Sequence, residues 1–346
     1  MLPADPSFLT NPNRPLQDRT AILDPLRGIA ALGVVLFHFG AAILPTIANN
    51  PLAGSLVLGK LGVQVFFVIS GFVIPLALHR MQYTYRDIGT FMAKRYVRIA
   101  PPAYVSALIM VVFHFISLWY KGTPIAGSGI YSIDVPTILT NLTFTAMYWD
   151  TPWFNFAYWT LTIEFEFYIL IALVFPLFRI HRQVTAIGFV LLLIGMRSFS
   201  LPMLCEHAMF FVPGILVYYR REQMLNDMTL LLLTGCVMLV GYLHDDTLQM
   251  LVALATGLLI LRAPNAQLRV LSWLGTISYS LYITHIPVGF VAESGIKRIT
   301  DLHQTVPGKL LLLVVYMGIS LLAAWVFHRL VELPFHRLSK TIGRKK

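Results

Sequence analysis

A histidine, two close carboxylates and a pair of arginines stand out in a chain with few other polar groups. His38 lies in LDPLRGIAALGVVLFHFG, eleven residues after Arg27. In a helix eleven residues advance about 1100°, three turns plus about 20°, so both side chains leave one face. Glu164 and Glu166 lie in WTLTIEFEFYIL and, about 200° apart on a helix, cannot face one point. A histidine on one helix and a carboxylate on another are base and orienter for taking a proton from a hydroxyl. A packed histidine and an ion pair locking two helices account for the same residue types. Arg95 and Arg98 in RYVRIAPP are spaced i, i+3. That spacing puts two guanidiniums on one face, suited to bidentate binding of phosphate or pyrophosphate, and a basic membrane flank explains it equally well. His285 in ISYSLYITHIP is a second candidate for substrate contact, with Tyr282, Tyr279 and Ser278 as further hydrogen-bonding groups. Arg197, Glu206 and His207 read better as an interfacial ion-pair cluster than as an acceptor site. His114 and Trp119 read as ordinary outer-leaflet residues, and Asn141-Leu142-Thr143 is a weak, outward-facing glycosylation sequon.

These residues must be positioned by membrane helices. Of 346 residues 57% are hydrophobic and only 12% charged, where a soluble protein carries roughly a quarter. The composition therefore excludes both a water-soluble globular protein and a disordered one. About 20 apolar residues cross roughly 30 Å of hydrocarbon. Ten stretches qualify or nearly do: 28–48, 61–78, 101–120, 154–178, 184–201, 204–219, 228–243, 247–261, 270–292 and 310–327. His38 and Glu164 are each the eleventh residue of a span, about 15 Å deep, near the midplane, and His285 lies somewhat beyond it. An ionisable residue at that depth costs free energy and is by default a functional hypothesis.

The net charge of +10 is read as orientation, not as a nucleic-acid surface. With ten crossings and both termini cytoplasmic, twenty of the 26 Lys and Arg residues fall inside and six outside, as the positive-inside rule requires. The expectation is an all-α polytopic membrane protein: a cytoplasmic segment at 1–20, a transmembrane domain at 21–331 and a basic tail at 332–346. Residues 1–20 hold four prolines and no apolar core, so no signal peptide is expected. The long outer loop contains a partly aromatic stretch, 138–149, fit for the interface. Two cysteines give no disulfide framework and no cysteine zinc site, and no metal is expected.

Taken together, LDPLRGIAALGVVLFHFG, GVQVFFVISGFVI, RYVRIAPPAY, WTLTIEFEFYIL and SYSLYITHIPV, in that order, resemble the integral-membrane acyltransferase family 3. The resemblance implies a ten-helix domain of a bacterial inner membrane. It would take an acyl group, usually acetyl, from cytoplasmic acyl-coenzyme A to a hydroxyl, often on a surface glycan or lipid-linked saccharide, with no resident cofactor. It implies that Arg27 and His38 are the essential pair, that Arg95 and Arg98 serve the coenzyme A side, and that Glu164 is the first acidic position of its motif. Phe165 stands where a second Glu is common and Glu166 replaces the usual Gln, so which carboxylate acts stays open. A stand-alone form without a C-terminal hydrolase-like domain is expected.

On this reading Arg95, Arg98 and Arg27 hold the phosphates of acetyl-coenzyme A. His38, oriented by Glu164, deprotonates the acceptor or carries the acyl group itself. His285, Tyr282 and Glu166 line the acceptor. A transporter or flippase of lipid-linked sugars would share the midplane His/Glu pair but need no acyl donor. A purely structural membrane subunit would tolerate substitution at Arg27, His38 and Glu164.

Overall fold

In the computed structural model of the chain, residues 21–43, 55–123, 133–199, 203–263, 265–266, 268–299, 302 and 305–343 are described, and among them no strand occurs. A chain this apolar must satisfy its backbone polar groups internally, which helices do within one segment. The chain is an all-α membrane protein.

Twelve helices carry the argument: α1 (Leu23–Ile43), α2 (Gly62–Arg80), α3 (Ile88–Lys121), α4 (Val135–Leu142), α5 (Trp159–Val174), α6 (Arg182–Gly195), α7 (Val212–Arg221), α8 (Asp227–Leu243), α9 (Thr247–Arg262), α10 (Arg269–Ile299), α11 (Val306–Phe327) and α12 (Leu333–Thr341). Five helical stretches are long and apolar enough to cross a bilayer: Leu23–Gly40, Ser55–Arg80, Tyr85–Tyr120, Phe156–Arg179 and Val306–Thr341. The helices α8 and α9, at 17 and 16 residues, reach about 25 Å, short of a full hydrocarbon core. Although α10 has 31 residues, Ser272, Thr276, Ser278, Ser280, Thr284 and His285 dilute its apolar surface.

The helices depart from the expected spans in two places. The third expected span begins at Pro101, whereas α3 starts at Ile88 and runs through Pro101 and Pro102. Arg95 and Arg98 are therefore inside a helix and not on a connection before one. The sixth, 204–219, is three pieces: the turn Leu204–His207, a 3-10 turn Ala208–Phe211, and α7 with Pro213 in its first turn. The expected N-terminal segment 1–20, the end of the first span beyond Ile43 and the last three basic residues lie outside the described residues.

The chain divides into two compact units. The first comprises Met1–Arg27, Leu61–Met92 and Ile163–Leu274; the second comprises Gly28–Lys60, Ala93–Thr162 and Gly275–Lys346. In the first unit α2 and α7 meet backbone to backbone. A Cβ on Gly71 would overlap the Phe211 carbonyl, and one on Gly214 the Val68 carbonyl. Small residues allow such an approach, and in lipid close packing is what drives helices together. Beside this crossing Phe211 stacks on Phe167, centroids 4.1 Å apart, and on Phe67 at 4.8 Å.

The second unit holds α10 from Gly275 onward. Pro287 offers no N–H, so the Ile283 carbonyl four residues earlier loses its helical donor. Ser106 Oγ on α3 donates to that carbonyl at 2.6 Å and Asn155 Nδ2 at 2.7 Å, while Asn155 also donates to Ser106 at 3.0 Å. Both side chains are fully buried. Tyr279 donates to the Ile99 carbonyl at 2.6 Å, and Tyr158 to that of Ala103.

In the loop before α5, Asp134 caps α4 through Thr137 N at 2.8 Å, and side-chain and backbone hydrogen bonds from Thr137 hold its carboxyl below the usual carboxylate range. Leu139, Leu142, Met147, Tyr148 and Trp149 leave an exposed apolar and aromatic surface here. Asn141 of the sequon is buried: its amide donates to the carbonyls of Thr137 and Pro152, and its Oδ1 accepts from Phe154 N. That side chain holds the loop together and is not displayed.

Candidate active site

The two intramembrane histidines come together in the second unit. His38 on α1 and His285 on α10 have ring centroids 5.1 Å apart at 41°. His38 is half-buried and His285 fully buried. Around them Phe37 stands 5.0 Å from His38, Phe39 6.4 Å and Tyr282 6.0 Å from His285. Phe39 in turn meets Tyr316 of α11 edge-on at 6.0 Å and fills the space that a side chain at Gly289 would take.

His285 Nδ1 sits 2.6 Å from the carbonyl of Tyr282, one turn back on its own helix. A carbonyl only accepts, so Nδ1 carries the proton and Nε2 keeps a lone pair. That Nε2 is buried with no hydrogen-bond partner among the described residues, a costly state outside a functional site. Tyr282 pairs its hydroxyl with Thr160 at 2.8 Å.

The remaining site candidates divide between the units. Arg95 and Arg98 are half-buried on α3 in the second unit. Arg27, which ends the first of the three stretches of the first unit, has Asp24 one turn back at 3.4 Å; on α1 it lies eleven residues before His38. In the first unit the two carboxylates have different partners. Glu164 accepts from Ser70 Oγ at 2.7 Å, whereas Glu166 accepts from the backbone N–H of Leu204 at 2.9 Å, at the start of the Leu204–His207 turn. Arg197 pairs with Asp246 at 3.0 Å, and His207 Nδ1 meets the Met203 carbonyl at 3.0 Å. His114 is buried and Trp119 is 87% exposed.

Several polar residues escape a reading of the sequence. Asn155 and Ser106 fix α10 beside His285, and Pro287 is the signal for them, since a proline inside a helix leaves a carbonyl needing a donor. Ser70 lies in the GVQVFFVISGFVI string without any pattern marking it. Glu332, on a π-helical turn His328–Glu332 after α11, accepts from Ser280 Oγ at 2.6 Å and lies 2.9 Å from His328 Nδ1. Among the described residues no group of three or more His, Cys, Asp or Glu side chains could hold a metal ion.

Chemically, a half-open imidazole against a buried one with a fixed tautomer can take up and hand on a proton. Comparison with known proteins gives that chemistry a context. A family model described as an acyltransferase domain matches residues 20–329. ORF330 of Acidianus two-tailed virus, whose name includes the word acetyltransferase, is 26% identical over 288 residues, covering 75% of this chain and 81% of that protein. The O-acetyltransferase OatA of Staphylococcus aureus is 32% identical over 169 residues, 46% of this chain and 25% of OatA. The acyltransferase MdmB of Streptomyces mycarofaciens is 32% identical over 174 residues, 48% of this chain and 41% of MdmB. The matched part is thus less than half of OatA and of MdmB. No solved structure matches the chain.

Proposed function

The chain belongs to the integral-membrane acyltransferase family 3, and from that premise we propose that it carries an acyl group, acetyl first of all, from cytoplasmic acyl-coenzyme A to a hydroxyl of a glycan or lipid-linked saccharide. The observation that carries the reading is the half-buried His38 of α1 packed against the buried His285 of α10. Relatives whose names carry acetyl or acyl transfer favour the enzyme over a transporter.

His38 takes the proton of the acceptor hydroxyl as its oxygen attacks the thioester carbonyl; the new C–O bond replaces the C–S bond and coenzyme A leaves as the thiol. General-base help of this kind is worth about 10²–10⁴-fold. Arg95 and Arg98, with Arg27 at the start of α1, hold the pyrophosphate and 3′-phosphate of the donor, where planar guanidiniums bind two oxygens at once. Glu164 is the acidic residue assigned to catalysis. The ten crossings with both termini cytoplasmic, and a bacterial inner membrane as location, belong to the same proposal.

The test is radiolabelled acetyl-coenzyme A given to the purified protein in proteoliposomes containing a glycan extract. Label in the saccharide fraction with wild type, and none with His38→Ala, is the expected result. Equal labelling by the two would defeat the assignment of His38, and none by either would defeat acyl transfer.

A further inference from the structure

The buried Nε2 of His285 has a lone pair and, among the described residues, no partner, although Nδ1 of the same ring is held. Three features fix this state. The Tyr282 carbonyl holds the proton on Nδ1, so the ring cannot present Nε2 as a donor. Ser106 and Asn155 hold the Ile283 carbonyl that Pro287 leaves open, which locks the turn bearing His285. The side chain has no exposed surface, so water does not serve Nε2 from bulk solvent. The neighbouring ring that can bring a proton is His38, 5.1 Å away between centroids. Among the described residues, further titratable groups near the pair include Tyr282 on α10, whose hydroxyl is engaged with Thr160, and Tyr316 on α11, which reaches Phe39 and has the Glu293 carboxylate near it.

We propose that His285 is the second member of a two-imidazole proton relay, receiving through Nε2 the proton that His38 passes on. The proposal rests on the acyltransferase reading and adds a role that reading does not require. As the acceptor hydroxyl attacks, one ring nitrogen of His38 takes its proton and the other gives its own to His285 Nε2. His285 is then an imidazolium that still donates from Nδ1 to the Tyr282 carbonyl. When the C–S bond breaks, the thiolate of coenzyme A takes a proton back through the same two rings. One hydroxyl proton is lost, one thiol proton is gained, and both histidines return neutral. Passing the proton on to His285 moves the positive charge off the ring next to the thioester, and the Tyr282 carbonyl accepts from the ring that then holds it.

The experiment compares His285→Asn with wild type in proteoliposomes, measuring kcat and KM for acetyl-coenzyme A. The Asn amide nitrogen occupies the place of Nδ1 and keeps the bond to Tyr282, while the Nε2 lone pair is gone. The relay predicts kcat down about 10²-fold or more, within the general-base range, with KM within about 3-fold, since the interaction lost is one made in the transition state. A second variant, His285→Ala, removes the ring altogether, and the relay predicts that added imidazole restores part of its kcat. A folded His285→Asn with kcat within about 3-fold of wild type would overturn the relay and leave acyl transfer standing. Loss confined to KM, or a His285→Ala variant that retains a native melting profile but gains nothing from imidazole, would also overturn it. If wild type transfers no label, both proposals fall together.

Discussion

The Asn155 side-chain amide donates to the Ile283 carbonyl at 2.7 Å, and that carbonyl is available because Pro287, four residues on, has no N–H. Ser106 Oγ donates to the same carbonyl at 2.6 Å, so the amide supplies a second bond, worth about 0.5–1.5 kcal/mol net, at the turn of α10 that carries His285. The proline and the asparagine form one device on two elements.

That pairing predicts a coupled response. Asn155→Ala removes the bonds that Asn155 gives to the Ile283 carbonyl and to Ser106 Oγ and the one it takes from Ala157 N, and should lower the melting temperature in detergent at a cost of about 1–3 kcal/mol. In a Pro287→Ala background the helix regains its own donor at residue 287, and the same substitution should cost about 1 kcal/mol less. Strictly additive effects in this double-mutant cycle would break the link between the two residues.

The arginine pair makes a kinetic prediction. Arg95→Ala and Arg98→Ala should each raise the KM for acetyl-coenzyme A roughly tenfold, about 1.4 kcal/mol of lost binding, with kcat little changed. Replacement by Lys should recover only part of this, because an ammonium cannot bind two phosphate oxygens as a guanidinium does. An unchanged KM in both alanine variants would make the pair a membrane flank. Both side chains are half-buried on α3 and not in a loose connection, so substitution acts on a placed group.

Packing of the first unit yields a prediction with its own control. Gly71→Val would drive a side chain into the Phe211 backbone, which a flexible rotamer cannot relieve. Overpacking typically costs about 1–3 kcal/mol, and a backbone obstacle puts this site at the upper end, visible as loss of the folded, monodisperse protein in detergent. Gly188 in α6 faces open space, with nothing within 4 Å of the place a Cβ would take. Gly188→Ala should therefore be neutral or stabilise by about 0.5–1 kcal/mol. Equal behaviour of the two would mean that the α2–α7 crossing is looser than described.

The helices and the chemistry are legible in the sequence by different routes. Apolar runs locate the helical stretches, because lipid allows few alternatives to a helix. Their ends are harder: Pro101 reads as a start, yet α3 begins thirteen residues earlier at Ile88. A polar, amphipathic first part contributes little to a hydropathy run. The sixth stretch reads as continuous but breaks at Ala208–Phe211, where tertiary packing against Phe67 and Phe167 decides the backbone. Depth counting singles out His38 and His285 without showing that they meet, since rotation about a helix axis depends on its neighbours. The tautomer of His285 is invisible in a sequence, because it follows from a carbonyl in three dimensions. Helical spacing alone turns Glu164 and Glu166 different ways, and their partners, Ser70 and the Leu204 N–H, are indeed separate.

Those separate partners predict how the two carboxylates will divide under mutation. Glu166 receives a backbone N–H at the first residue of a helical turn, a position where a negative charge is favoured. Glu166→Ala should therefore act on stability, costing about 1.5–3 kcal/mol for a charge-assisted bond. Any fall in transfer rate should follow the fraction of folded protein. Glu164 receives a hydroxyl from Ser70, which Gln can accept equally well. Glu164→Gln should keep the melting temperature within a few degrees of wild type, since a ΔΔG of about 1 kcal/mol shifts a chain of this size by about 2–4 °C. Its transfer rate should nonetheless drop by about 10²-fold if the charge acts in catalysis. Labelled acetyl transfer and thermal unfolding on the same two preparations separate the roles. Full activity in Glu164→Gln, with activity lost in a fully folded Glu166→Ala, would reverse the assignment and make Glu166 the functional carboxylate.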